Sequence, residues 1–324
     1  MSYFTMEEFG EAAVVVNCHM PPTPQFTWPL LDDFVGAEVW VKHENCTPTG
    51  AFKMRGGLVY VERLTRRRPD VRGIVGATRG NHGQSLAFAG RAFGVPVTIV
   101  APHGNSPDKN AAMTGFGAEL IDYGHDFQAA LEFSIKLADD RGLEAVPSFH
   151  RDLCLGVATY AHELFSAAGE LDAVYVPVGL GSGICGLITI RDLLGLRTEI
   201  IGVVAERAPA TALSFAAGAP VSTDSAATFI DGVACRVPHP EAIEIILGGA
   251  ARIVQISEDA CAEAVRTLLR CTHHLVEPAG AAALAGLLAD DVAALGRRVG
   301  IIVTGGNMDS ALLAQILDGT TPAA

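Results

Sequence analysis

The sequence lacks the features that mark secreted, membrane-spanning and nucleic-acid-binding proteins. Its seven cysteines are scattered without a CxxC pair, which predicts free thiols in a reducing cytoplasm. The N-terminal segment is acidic where a secretory signal would be basic, and no uncharged apolar run is long enough to span a membrane. Only 23 residues are Lys or Arg against 36 Asp or Glu, a net charge of −13. We therefore expect a cytoplasmic protein with no nucleic-acid partner and no membrane partner.

What the sequence does contain is a regular alternation of short β-branched runs and helical patterns. Its 324 residues, 49% of them hydrophobic, are enough for two domains. The predicted strands include GIVGA, VTIVA, AELIDYG, DAVYVPV, EIIGVVAE and RRVGIIVTGG, and helical patterns such as NHGQSLAFAGRAFG separate them. This order predicts an α/β protein with parallel sheets covered on both faces, whose ligands bind at loops beyond the carboxyl ends of the strands.

One lysine stands in an unusual setting, in the stretch PTGAFKMRGG. Lys53 lies between Phe52 and Met54, in what we interpret as a Thr/Gly/Pro turn. Apolar neighbours that hold a lysine partly out of water favour its neutral amine, which is a nucleophile. The other interpretation of this stretch alone is an amphipathic surface lysine whose charge reaches solvent.

A glycine-rich loop at residues 176–186 joins a predicted strand to a predicted helix. The backbone N–H groups of such a loop and the positive end of the helix dipole bind phosphate. Residues 181–186 also match G-x-G-x-x-G, and Glu206 ends the following strand, where the dinucleotide fingerprint has an acid. By itself the loop therefore allows a nicotinamide cofactor, another phosphate ligand or a turn without a ligand.

Three further loops carry polar residues at the ends of predicted strands or the starts of predicted helices. GATRGNHGQ offers Thr78, Arg79 and backbone N–H groups as an anion site suited to a carboxylate. In the same loop, His82 is a base, a cap or a packing residue. IIVTGGNMD places Thr304 where its hydroxyl can hydrogen-bond a ring nitrogen without charging it. HHLVEPAG puts Glu277 at a helix start, where an acid complements the helix dipole.

Six segments, in this order, resemble the motifs of one enzyme group: PTGAFKMRGG, TRGNHGQ, VPVGLGSG, IDGVA, VEPAG and VTGGNMD. They resemble fold-type II pyridoxal phosphate enzymes of the threonine/serine dehydratase and serine racemase group, and they extend over nearly the whole chain. The resemblance implies a tryptophan synthase beta-like α/β fold with two open, twisted, mostly parallel sheets flanked by helices. It also implies a large cofactor-binding domain, residues 1–53 and 150–324, with a small substrate-binding domain, 54–149, inserted in it.

The resemblance also implies roles for individual residues. Lys53 matches the catalytic lysine that forms a Schiff base with pyridoxal phosphate. The implied cofactor-binding residues are Phe52, Lys53, Asn81, Gly179, Leu180, Gly181, Ser182, Gly183, Glu277 and Thr304. The implied substrate-binding residues are Thr78, Arg79, Gly80, Asn81 and His82.

The sequence departs from the family pattern at two sites. Racemases of this group carry a serine base where this chain has Arg79, and a guanidinium is always protonated, so we expect little or no racemisation. Arg79 could instead bind a second substrate carboxylate, as in 3-hydroxyaspartate, or pair with a nearby acid. Some members hold a divalent cation, for which Glu206 matches one ligand and Ala210 could offer a carbonyl. Ala212 replaces the aspartate ligand, so we expect a weak metal site or none.

Together, the residues and the resemblance predict a pyridoxal phosphate-dependent ammonia-lyase (dehydratase). It would eliminate water from a β-hydroxy amino acid such as threonine, serine or 3-hydroxyaspartate and yield a 2-oxo acid and ammonia. The alternatives are a β-replacement synthase or racemase of the same fold and, more distantly, an NAD-dependent dehydrogenase. A non-catalytic binding module is disfavoured, because it has no use for Lys53. The expected partner is a small amino acid substrate, and the family habit predicts a homodimer.

Overall fold

The computed structural model describes residues 3–290 and 298–323, and strands alternate with helices along most of them. The helices are α1 (Met6–Asn17), α2 (Pro29–Val35), α3 (Lys53–Arg67), α4 (Asn81–Phe93), α5 (Pro107–Gly115), α6 (Phe127–Arg141), α7 (Arg151–Ala168), α8 (Ser182–Leu193), α9 (Ala210–Ala217), α10 (Pro240–Gly249), α11 (Glu258–Thr272), α12 (Pro278–Ala289) and α13 (Ser310–Leu317). The strands are β1 (Gln25–Phe26), β2 (Glu38–His43), β3 (Ile74–Ala77), β4 (Val97–Ala101), β5 (Glu119–Asp122), β6 (Glu144–Ala145), β7 (Ala173–Pro177), β8 (Glu199–Ala205), β9 (Arg252–Ile256) and β10 (Arg298–Val303). In this part of the chain, no helix has the length and apolar character needed to cross a bilayer.

The strands form two sheets, one with the order β1-β2-β10-β7-β8-β9 and one with the order β5-β4-β3-β6. Neighbouring strands are parallel throughout, except that β1 pairs with β2 in the antiparallel direction. The predicted α/β class with two mainly parallel sheets is confirmed. The strands predicted from GIVGA, VTIVA, AELIDYG, DAVYVPV and EIIGVVAE are all present. In RRVGIIVTGG the strand is described from Arg298, and residue 297 lies outside the described residues.

The chain divides into two compact units. The larger unit comprises Met1–Met6, Pro22–Cys46 and Tyr160–Ala324, and the smaller unit comprises Glu7–Pro21 and Thr47–Thr159. The six-stranded sheet belongs to the larger unit and the four-stranded sheet to the smaller one. These limits differ from the predicted domain limits at residues 53 and 150, which stay a prediction.

The core of the larger unit encloses most of helix α12. Its sequence, PAGAAALAGLLA, is small or apolar on every face, and residues 278–287 are all buried. A helix without a polar face is stable only inside a protein, and α12 packs against β7, β8, β9 and β10. Because α12 begins directly after Glu277, this packing also fixes the position of that predicted site residue.

The core of the smaller unit lies on strands β3 and β4. Every residue of IVGA and of VTIVA is buried, the continuous apolar pattern of parallel strands covered on both faces. Helices α4 and α6 pack on both strands, and Leu137 and Ala138 of α6 join the same hydrophobic cluster as Val75 and Val100. The polar loop that follows β3 is thereby attached to a rigid base.

Candidate active site

Lys53 is the first residue of helix α3 in the smaller unit. The prediction that it lies inside a turn is wrong, because the turn ends at Ala51, whose N–H donates to Thr47 Oγ1 at 2.8 Å. Lys53 itself is half-buried, and its neighbours Phe52 and Met54 are buried. Its Nζ lies 4.9 Å from the centroid of the Phe52 ring. The amine is thus held partly out of water, which agrees with the first of the two interpretations of this stretch.

Close packing of α3 on α4 fixes the backbone at Lys53. The Ser85 hydroxyl of α4 donates a hydrogen bond to the Lys53 carbonyl oxygen at 2.7 Å. One turn further along α3, a Cβ atom on Gly57 would lie 2.9 Å from the Ser85 carbonyl oxygen. Only glycine therefore allows the two helices to approach this closely. The contact holds the start of α3 at a fixed position relative to the start of α4.

The loop between β3 and α4 presents backbone donors at a helix N-terminus. Thr78 follows β3 directly and is buried, and its Oγ1 accepts a hydrogen bond from the Gly80 N–H at 3.1 Å. Helix α4 begins at Asn81, and the preceding residue, Gly80, has no side chain to cap it. The first N–H groups of a helix that lacks a side-chain cap form a site for an anion. This arrangement supports the predicted carboxylate site.

Two basic side chains lie at this loop. Arg79 is exposed and makes no hydrogen bond or ion pair with any of residues 3–290 and 298–323, so no described acid pairs with it. The stem of Lys109, from α5, covers Gly80: a Cβ atom there would lie 2.9 Å from Lys109 Cδ. Sequence reasoning missed Lys109, because its own stretch, SPDKNAAM, gives no sign that α5 packs beside the start of α4.

His82 is a buried, neutral imidazole in the first turn of α4. Burial and, to a smaller extent, the charge of Lys53 lower its pKa to about 3. Its Nε2 atom is buried and has no hydrogen-bond partner among the described residues. At neutral pH the ring therefore carries no charge, and Nε2 is left to interact with a bound ligand.

The buried His82 ring predicts a loss of stability in acid. In the unfolded chain His82 is protonated below about pH 6.5, whereas in the folded chain it is protonated only below about pH 3. The contribution of the neutral ring to stability is therefore complete above pH 6.5 and declines as the pH falls. At about 1.4 kcal/mol per pH unit, the ring should lower the free energy of unfolding by about 2 kcal/mol between pH 7 and pH 5. Denaturant unfolding at the two pH values measures this loss.

The matched controls for this experiment are two glutamine variants. His82→Gln should remove that part of the pH dependence, whereas His125→Gln should leave it unchanged, because the His125 side chain is 86% exposed. An unchanged pH dependence in His82→Gln would show that His82 is protonated in the folded protein.

In the larger unit, the glycine-rich loop joins the end of β7 to the start of α8. Helix α8 begins at Ser182, and its cap residue, Gly181, has a φ of 105°, a left-handed conformation that favours glycine. A Cβ atom on Gly179 would lie 2.5 Å from the carbonyl oxygen of Gly232, in the IDGVA motif. The loop thus keeps its backbone bare at a helix N-terminus, which fits the phosphate of a cofactor.

A tyrosine that sequence reasoning missed supports the first turn of α8. Tyr160 is fully buried, and its hydroxyl donates to the Gly183 carbonyl oxygen at 2.9 Å. Tyr160 lies within the long helix α7, so its sequence neighbours gave no signal of this contact. The hydrogen bond stabilises the first turn of α8, which contains Ser182 and Gly183.

The VEPAG and VTGGNMD motifs pack directly on each other in the larger unit. Thr304 follows the last residue of β10 and is 4% exposed. The Glu277 N–H donates to the Gly305 carbonyl oxygen at 3.0 Å, and a Cβ atom on Gly280 would lie 2.6 Å from the same oxygen. Glu277 is the residue before α12, and its side chain makes no capping hydrogen bond in the described part of the chain. The structure therefore brings Glu277 and the Thr304 loop together.

The predicted metal ligand Glu206 follows β8 and is exposed. Its backbone N–H donates to the Ile256 carbonyl oxygen at 2.9 Å, and Ala210 begins α9 shortly after it. Within residues 3–290 and 298–323, Glu206 belongs to no group of three His, Cys, Asp or Glu donor side chains. The expectation of a weak metal site or none near Glu206 stays a prediction.

Comparison with known proteins extends these observations to the whole chain. The model of the pyridoxal-phosphate dependent enzyme family matches residues 16–305. An L-threo-3-hydroxyaspartate ammonia-lyase from Saccharomyces cerevisiae is 31% identical over 310 residues, which cover 95% of each chain. A protein of the same name from Pseudomonas sp is 34% identical over 298 residues, 92% of this chain and 93% of that one.

Solved structures agree with the sequence relatives. The processed form of threonine deaminase isoform 2 from Solanum lycopersicum superposes with a TM-score of 0.89 at 25% identity, covering 97% of this chain and 94% of that one. The family match favours pyridoxal phosphate over the nicotinamide cofactor that the glycine-rich loop alone allowed. The glycine-rich loop at the start of α8, the half-buried lysine and the six ordered motifs all fit this match. The chain belongs to the pyridoxal-phosphate dependent enzyme family.

Proposed function

We propose that the protein is an ammonia-lyase that uses pyridoxal phosphate and acts on a β-hydroxy amino acid with a second carboxylate, the 3-hydroxyaspartate class. The substrate loses its α-proton and its β-hydroxyl as one water molecule, and the resulting enamine is hydrolysed to a 2-oxo acid and ammonia. Relatives named L-threo-3-hydroxyaspartate ammonia-lyase and L-threonine ammonia-lyase, about 30% identical over most of the chain, support this reaction class.

Several residues of the chain have the chemistry that this reaction needs. Pyridoxal phosphate, when bound, stabilises the negative charge that develops at the substrate α-carbon. Lys53 is assigned to hold the cofactor through its Nζ atom and to accept the α-proton at the same atom. The loop at residues 179–183 is assigned to the phosphate, and the neutral Thr304 hydroxyl to the ring nitrogen. Asn81 and Phe52 are assigned to the remainder of the cofactor ring.

The substrate α-carboxylate is assigned to the N-terminus of α4. Thr78, Gly80 and the N–H groups at Asn81 and His82 lie at this end of the helix, where the helix dipole favours a negative charge. The unpartnered Nε2 of the neutral His82 can bond a ligand without adding a positive charge. Binding here would leave the amino group and the β-carbon of the substrate free to react.

The observation that carries the choice of substrate is the environment of Arg79. A side chain with five fixed donors stands exposed beside the carboxylate loop, with no described acid to neutralise it. Its planar fork matches a second carboxylate, which serine and threonine lack. The Lys109 stem at Gly80 adds a second basic residue at the same loop.

Arg79→Met should reduce kcat/KM for threo-3-hydroxyaspartate by roughly 10- to 100-fold, the loss of one charge-assisted bidentate contact. Values for serine and threonine should change by less than about 3-fold, because these substrates offer Arg79 no carboxylate. Release of ammonia and of the 2-oxo acid from each substrate measures the three values.

The matched controls are Arg79→Lys and Arg91→Met. Arg79→Lys should restore part of the lost activity. Arg91→Met, in the last turn of α4, should behave as the unchanged protein on all substrates. An equal loss on all three substrates in Arg79→Met would show that Arg79 supports the fold or the reaction rather than binding the second carboxylate.

Four related expectations stay predictions. Little or no racemisation is expected, because Arg79 occupies the position of the serine base. β-Replacement remains the alternative activity within this fold. A homodimer and a cytoplasmic location follow only from family habit and from the free cysteines.

A further inference from the structure

A group of donor side chains that has no assigned role in binding the cofactor is suited to a metal ion. In the larger unit, His43 is the last residue of β2, Cys46 ends the short turn Glu44–Cys46, and His274 lies two residues after α11. Their donor atoms, two ring nitrogens and one thiol sulfur, all lie within 4.8 Å of one another. Among the residues that the structure describes, no other three His, Cys, Asp or Glu side chains are grouped in this way.

The hydrogen bonds of the two rings leave one nitrogen of each for a ligand. His274 Nδ1 lies 2.6 Å from the Thr272 carbonyl oxygen and donates to it, so Nε2 keeps its lone pair. The Trp28 indole N–H donates to His43 Nε2 at 3.1 Å. The second nitrogen of His43, Nδ1, is buried, and no described group meets the distance and angle of a hydrogen bond to it, although the Asn45 side chain lies beside the ring. A buried polar atom without a partner costs free energy, and such an atom calls for an explanation.

We propose that His43, Cys46 and His274 bind one zinc-like divalent metal ion. Two imidazoles and one thiolate are ligands that Zn²⁺ prefers and that Mg²⁺ and Ca²⁺ do not. Tetrahedral zinc places such donors about 3.3 to 3.6 Å apart. The separation allows this approach, because Cys46 is exposed and His274 is only half-buried. Three protein ligands leave the fourth position to water.

The ion would change the protonation of its ligands in a defined way. The Trp28 indole N–H donates to His43 Nε2, which therefore keeps its lone pair, so the His43 ring is neutral. While Trp28 donates to Nε2, the neutral ring carries its proton on Nδ1; metal binding at Nδ1 moves that proton to Nε2, and the indole N–H loses its acceptor. The Cys46 thiol gives up its proton as the sulfur–metal bond forms. One proton is therefore released for each ion bound.

The three proposed metal ligands lie beside the loop that follows Thr304. The Asn45 side-chain amide, between His43 and Cys46, donates to the Leu275 carbonyl oxygen at 3.0 Å. A Cβ atom on Gly306 would lie 2.8 Å from the same oxygen. The segment that carries His274 is thus in contact with the loop that follows Thr304. A bound ion would tie β2 to this segment.

Thiol protection in the holoenzyme tests the proposal. Cys18 and Cys46 are the exposed cysteines, so Cys18→Ser leaves Cys46 as the thiol that reacts quickly with a chromogenic disulfide reagent. Equimolar ZnCl2 should slow this reaction at least 10-fold, whereas MgCl2 should not change it. Calorimetry in buffers of different ionisation enthalpy should report one proton released per ion, and Trp28 fluorescence should change during the same titration.

Two variants separate a built site from a single reactive thiol. In Cys46→Ser, ZnCl2 should leave the reactivity of Cys18 unchanged. In His274→Asn, which keeps Cys46, protection should be lost. The proposal is overturned if Cys46 reacts at the same rate with and without ZnCl2, or if ZnCl2 protects it equally well in His274→Asn.

Discussion

Lys53→Ala should abolish both turnover and the visible absorption of the lysine-bound cofactor. The amine is half-buried at the first residue of α3, beside the Phe52 ring, and no other residue is assigned both to hold the cofactor and to accept the α-proton. Loss of a positioned base and nucleophile lowers kcat by roughly 10³-fold or more. Steady-state kinetics and an absorption spectrum of the purified variant measure both effects.

Two comparisons make the Lys53 result specific. Lys53→Arg should also be inactive, because a guanidinium keeps the charge but neither forms the imine nor accepts a proton. Lys136→Ala, an exposed lysine of α6 in the same unit, should be fully active. After borohydride reduction of the unchanged protein, peptide mapping should find the cofactor on Lys53. Its absence from that peptide would refute the assignment.

Glu163→Leu should lower the free energy of unfolding by about 3–5 kcal/mol, because it removes a charged partner of a fully buried ammonium. Lys42 is fully buried, and its Nζ donates to Glu163 Oε2 at 2.5 Å, to the Thr23 carbonyl oxygen at 2.9 Å and to Gln25 Oε1 at 2.9 Å. Among these three bonds, the Glu163 carboxylate is the charged acceptor. Denaturant unfolding of the holoenzyme measures the loss.

The double variant Lys42→Met/Glu163→Leu should recover most of that stability, because two apolar side chains replace the ion pair without leaving a buried charge. The pair Arg266–Glu263 supplies the surface control, because the Glu263 side chain is 51% exposed; its N and O atoms lie 2.8 Å apart. Glu263→Leu should cost less than about 1 kcal/mol. If Glu163→Leu costs no more than this control, the buried ammonium is stabilised in another way.

Local patterns were sufficient to predict strands β3, β4, β5, β7, β8 and β10 and helix α4. IVGA and VTIVA contain no charged residue, a pattern that suits strands buried on both faces. The glycines of the phosphate loop were recognisable because a turn before a helix N-terminus needs residues without a Cβ atom. The start of α3 was misjudged, since the sequence Thr-Pro-Thr-Gly before Lys53 suggested a longer turn.

Neighbours that come from distant parts of the chain could not be predicted. Nothing in SPDKNAAM indicates that Lys109 covers Gly80, and nothing near Tyr160 indicates that it supports Gly183. The same is true of Lys42, which is fully buried in the structure although nothing in EVWVKH indicates it. Each contact depends on which elements are adjacent, and short patterns do not encode that.

The sequence by itself determined the class of fold, the order of the motifs and the lysine at which the chemistry is expected, because each of these depends on neighbours within a few positions. The tertiary structure decided which side chains come together, through a strand order that places β2 beside β10 and so brings the ends of distant segments to one edge. His43 and Cys46 likewise meet the distant His274 only in the packed structure. Burial, which decides whether His82 is charged, likewise exists only once the chain is packed.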